Sequence, residues 1–125
     1  MRLLRSVVLA SAAYDLLLGG ALLFAPGAVG AWFGAPPPAP LIHANLNGLF
    51  AAAIGVGYLV VLSRLEQNRW YLWLMGPGLK GAGAVLFGLD FLLRGSPASF
   101  LLFAASDGLL AALTWVALRR TRRAG

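Results

Sequence analysis

Ser6-Val-Val-Leu-Ala-Ser-Ala-Ala-Tyr-Asp-Leu-Leu-Leu-Gly-Gly-Ala-Leu-Leu-Phe-Ala25 runs for twenty residues with a single carboxylate and no basic group. A helix of that length measures about 30 Å, the thickness of a bilayer's hydrocarbon core. The run starts after Arg5 and stops at Pro26, whose ring removes the N–H that a continuing helix needs. Only Ser6 to Leu9 separate Arg5 from Ala10-Ser-Ala12. That is shorter than the ~7–15 apolar residues of a cleaved signal, so the run reads as a membrane span.

Three further apolar stretches follow, at about 41–62, 70–93 and 97–118. Each has the length of a crossing helix, and none shows the alternation of a barrel strand. Hydrophobic residues make up 60% of the 125, charged residues 11%, and the mean hydropathy is +0.81. Soluble domains carry about 25% charged residues to face water. The short loops expected at 63–68 and 94–96 force neighbouring helices to run antiparallel. The expectation is therefore an all-α fold: a single integral membrane domain over 1–125, built as an antiparallel four-helix bundle. Pro36-Pro-Pro-Ala-Pro40 cannot be helical and is expected to form the first loop, with Trp32 and Phe33 at the interface before it. Ser96 is placed to cap the fourth helix, with Pro97 at its first position.

The basic residues set a direction. Arg2, Arg5, Arg64, Arg69, Arg119, Arg120, Arg122 and Arg123 fall at one set of span ends, and Arg94 alone falls at the other. The positive-inside rule then puts both termini in the cytoplasm, as in a multi-pass protein of a bacterial inner membrane. The net charge of +6 is thus read as topology and contact with anionic lipid, and no nucleic acid is expected. Trp70, Tyr71 and Trp73 begin the third span, where an aromatic belt belongs.

Ionisable groups within lipid are the informative ones, since each costs about 2.5–3.5 kcal/mol at a helix centre on insertion scales. Counted along their spans, Asp15, Lys80 and Asp107 all come about halfway, on three different helices. Lys80 is in a position to pair with one or both carboxylates, and one carboxyl is left in excess. Nearer the outer side come His43, Asn45 and Asn47, at the start of span two, and Asp90, at the end of span three. His43 and Asn47 share a face at i, i+4, while Asn45 points elsewhere. Asn45 and Asn47 read first as interhelical hydrogen-bonding residues and second as a binding site. Asp90 is spaced to pair with Arg94. Ser11, Asp15 and Gly19 share a stripe of span one, and Gly55, Gly57, Gly76, Gly78, Gly81 and Gly83 favour close helix packing. Pro77 is expected to loosen span three just before Lys80.

With one histidine and no cysteine, there is no set of three or four ligands for zinc, no disulfide and no thiol nucleophile. Gly76-Pro-Gly-Leu-Lys-Gly81 matches G-x-G-x-x-G in letters only, because no strand precedes it. No cofactor and no catalytic constellation is expected.

Leu18-Gly-Gly-Ala-Leu-Leu-Phe-Ala-Pro26, Leu46-Asn-Gly-Leu49 and Asp107-Gly-Leu-Leu110 together give a layout that resembles the DoxX-like group of small bacterial four-span membrane proteins. The resemblance is spread over most of the chain and implies the fold more than an activity.

Three functions are open at this stage. The first is a binding or accessory membrane protein whose buried Asp/Lys/Asp cluster holds a ligand or supports a partner, either a second copy or another membrane protein. The second is a proton-coupled small transporter using the same cluster. The third is a membrane enzyme acting on a lipid or quinone. Asp15, Lys80, Asp107, Asn45, Asn47 and Asp90 are the candidate binding or proton-handling residues. Asp15–Lys80–Asp107 has a structural alternative, an ion-pair knot that fixes helix register.

Overall fold

A computed structural model describes residues 1–35 and 40–124, with the side chains of 122–124 outside that description. The proline run expected to form the first loop therefore lies, except for Pro40, outside the described residues. The described chain is helical. It comprises α1 (Arg2–Phe24), α2 (Pro26–Trp32), α3 (Ile42–Val61), α4 (Arg69–Trp73), a π-helical segment (Leu74–Lys80), α5 (Gly81–Arg94) and α6 (Leu101–Ala124). Short 3₁₀ turns stand at Leu62–Arg64 and Ala98–Phe100. Four helical stretches are long and apolar enough to cross a membrane: Arg2–Phe24, Ile42–Arg64, Arg69–Arg94 and Ala98–Thr121.

α1 lies between α3, its most extensive partner, and α6, which in turn packs on the π-helical segment and α5. Lipid gives apolar helices no hydrophobic reason to associate, so small residues must bring their surfaces close. A Cβ added at Gly19 would lie 2.7 Å from the Gly48 carbonyl oxygen, and one at Gly48 equally far from that of Gly19. The α1–α3 seam is thus backbone against backbone. Gly76 makes the same allowance for α6, since a Cβ there would meet Thr114 Cγ2 at 2.7 Å.

The buried core gathers at one end of the structure. Leu4, Val7, Val8 and Ala12 of α1 meet Tyr58 and Val61 of α3, Leu65 and Leu72, and Ala117 and Leu118 of α6. Arg69 fastens the same end by donating to the Leu118 carbonyl at 2.5 Å. Tyr71 donates to the Ile54 carbonyl at 2.7 Å across the space that Gly57 leaves open. Large apolar side chains such as Leu17, Val60, Leu92 and Leu93 point outward, as a lipid-facing surface requires.

Two local expectations are corrected. Ser96 does not cap a helix; its hydroxyl donates to the Asp90 carboxylate. Pro97 is extended (φ −52°, ψ 136°), and a 3₁₀ turn rather than an α-helix follows it. The charged Asp90 carboxylate is a strong acceptor and orients the Ser96 side chain toward the end of α5, and Pro97 takes the position before the turn.

Candidate functional site

Lys80 closes the π-helical segment, and Pro77 is the residue that shapes it. Pro77 offers no N–H to the carbonyl four residues back, and the Gly81 N–H reaches the Gly76 carbonyl, five residues back. This wider turn carries Lys80 inward to α1. Its ammonium donates to both carboxylate oxygens of Asp15, each at 2.9 Å, and both residues are 5% exposed. The rings of Tyr14 and Tyr58 each lie 5.5 Å from the same nitrogen, so a carboxylate and two aromatic faces enclose it. Ser11 and Tyr58 are buried beside the pair, and neither hydroxyl has a hydrogen-bond partner among the described residues.

Asp107 does not join this pair. Lys80 takes Asp15 alone, and no ion pair reaches Asp107 among the described residues. The Asp107 carboxylate faces α5 across Gly83, where an added Cβ would be 3.3 Å from Oδ2. Tyr14 bonds Ser106 through their hydroxyls at 2.8 Å and lies beside the Asp107 carboxylate. Tyr14 therefore stands between the two carboxylates, with its ring on Lys80 and its hydroxyl on α6.

On its other side Asp107 forms part of the wall of a cavity of about 340 Å³. The walls come from the ends of α1 and α3, from α2, from Phe87 of α5, and from Phe100, Phe103 and Asp107. Among the described lining residues only Asn47 and Asp107 carry polar side chains. Phe33, at the end of α2, stacks on Phe103 with ring centroids 4.6 Å apart, and Phe87 stacks on the same ring at 5.3 Å. Gly83 and Phe87 on α5 therefore face Asp107 and Phe103 on α6, both pairs at i, i+4. Ser99 steadies the α2 end by donating to the Phe33 carbonyl at 2.5 Å.

The outer polar residues separate into three different settings. Asn45 donates to the carbonyls of Leu22 and Leu23, at 3.2 Å each. Pro26 leaves the Leu22 carbonyl without its helical donor, and the Asn45 carboxamide supplies one from α3. Asn47 is exposed to the cavity and makes no such bond. Asp90 accepts from Arg94 at 3.2 Å and from Ser96, away from the cavity. His43 sits exposed at the start of α3.

Sequence reasoning passed over Tyr14, Phe87, Phe103 and Ser106, and it placed Phe33 at the interface, whereas the ring lines the cavity. The i, i+4 spacing of Phe103 and Asp107 was a usable sign, since it puts a ring beside a carboxylate. Nothing in the order of residues marks Phe33 as turning inward while its neighbour Trp32 stays 77% exposed. Comparison with protein families, with curated proteins and with solved structures gave no match to this chain.

Proposed function

We propose that this chain is a ligand-binding or accessory protein of a bacterial cytoplasmic membrane, folded as an antiparallel four-helix bundle with both termini cytoplasmic. The eight-to-one distribution of basic residues between the two sets of span ends supports the direction. The likeness to DoxX-like four-span proteins is consistent with the same architecture.

One observation carries the binding role: an apolar cavity of about 340 Å³ with a carboxylate and a carboxamide in an otherwise nonpolar wall. Small-molecule sites have this make-up, a mainly hydrophobic lining with a few polar groups that fix orientation. The occupant would be a small molecule soluble in the membrane. The ion pair beside the cavity is closed on itself, and serves to hold α1 and the third span in register around it.

Native mass spectrometry on protein released from mild detergent tests this role. The wild type is expected to retain a small lipophilic molecule that Ala51→Phe, which fills the cavity, excludes. A wild type with no bound molecule, or an Ala51→Phe variant that retains it, sinks the proposal. The same spectra report whether the chain associates with a second copy.

A proton-coupled transporter is the second reading. It is favoured by the run of polar groups from Asp107 through Tyr14 to Lys80 and Asp15. Unchanged pH-gradient-driven uptake by an Asp107→Asn variant in vesicles would remove that route.

A further inference from the structure

We propose that the cavity beside Asp107 takes a lipophilic organic cation, with an ammonium-type head against the Asp107 carboxylate and an apolar body among the phenyl rings. The inference rests on the binding role above and names its ligand class.

The ionisable groups near mid-span are Asp15 and Lys80, both buried, and Asp107, half-buried, formally two negative charges and one positive. Lys80 is committed to Asp15 through both carboxylate oxygens. Arg94 is paired with Asp90 and is not part of the cavity wall. Asp107 is therefore a carboxylate without a side-chain cation among the described residues, half-buried in a largely apolar wall where electrostatic attraction is less screened than in bulk water. A cationic head complements it. A fatty acid or phosphate head would set like charge against it, and the described wall holds no basic side chain to offset that.

Phe33, Phe87, Phe100 and Phe103 all line the cavity and touch one another in a chain of ring contacts between 4.6 and 6.3 Å. Ring faces carry negative electrostatic potential and attract cations, most strongly where water is excluded. They also supply the apolar surface that a hydrophobic body needs.

The protein already holds one ammonium, that of Lys80, between a carboxylate and two aromatic rings. α5 and α6 present a second carboxylate, and it shares a cavity wall with phenyl rings rather than meeting a lysine.

The test uses the full chain in nanodiscs of zwitterionic lipid, so that headgroup charge recruits neither probe. Phenylbutyl-trimethylammonium is titrated by calorimetry against its uncharged isostere, in which carbon replaces the nitrogen, and protein-free discs correct for partitioning. Wild-type protein is expected to bind the ammonium at least tenfold more tightly than the isostere. Asp107→Asn should abolish that preference while leaving isostere affinity unchanged, and Asp90→Asn, outside the cavity wall, should retain it. Equal affinity of wild type for the two probes overturns the cation assignment and leaves the binding role standing. Preference that survives in Asp107→Asn also overturns it. Binding of neither probe overturns the cation assignment as well, while the binding role is decided separately by the native mass spectra of wild type and Ala51→Phe. The wild-type comparison needs no substitution, so the assignment is decided even if a variant fails to fold.

Discussion

At the scale of single residues, Lys80 and Asp15 decide how α1 meets the third span. Two opposite charges with almost no exposure stabilise each other only as a pair. Removing one partner leaves the other uncompensated, at a cost of about 3–5 kcal/mol, whereas an apolar pair of similar size is often tolerated. Asp15→Asn and Lys80→Met should each lower the denaturation midpoint in detergent strongly. The combined Asp15→Leu/Lys80→Met variant should recover most of the loss. Mild effects from both single changes would show that the pair does not hold the helices together. Depth counting along the sequence put three ionisable groups at one level and stopped there, because it assigns no direction to a side chain. The π turn at Pro77 sets that direction for Lys80, and Gly83 leaves the room that Asp107 occupies.

At the scale of elements, two stops were legible in the residues. Pro26 ends α1, and Gly95, with φ +69°, ends α5 in the left-handed conformation that glycine adopts without a Cβ clash. The α1 end also illustrates an element completed by another. Its last carbonyls depend on Asn45 from α3. Asn45→Leu should therefore weaken the α1–α3 association by about 1 kcal/mol, in the range measured for interhelical hydrogen bonds in membranes. A chemical denaturation series comparing it with Asn47→Leu checks this, and equal losses at the two positions would contradict the assignment. Ser96 and Pro97 were misread because a capping pattern is local, whereas the Asp90 carboxylate that takes the Ser96 hydroxyl comes from the preceding helix.

At the scale of the whole molecule, the two ends differ in character. One end is close-packed, with Leu4, Val8, Leu72 and Leu118 fully or almost fully buried. The other is opened by α2 and the phenyl rings around a cavity. With no native cysteine, the proposed orientation can be probed by introducing single thiols. Gln67→Cys should be shielded from a membrane-impermeant maleimide in intact spheroplasts and become reactive on lysis. Trp32→Cys should react in both. The reverse pattern would invert the proposed topology.

The sequence by itself determined that the chain is helical, that four of its stretches can cross a bilayer, and which residues carry an energetic penalty in doing so. Those properties follow from apolar run length, proline positions and the cost of charge in lipid, all of which are local. Only the tertiary structure decided that Lys80 takes Asp15 and leaves Asp107 beside an aromatic cavity. That choice depends on the wider turn at Pro77 and on how closely glycines let the helices approach, and no single helix contains the information.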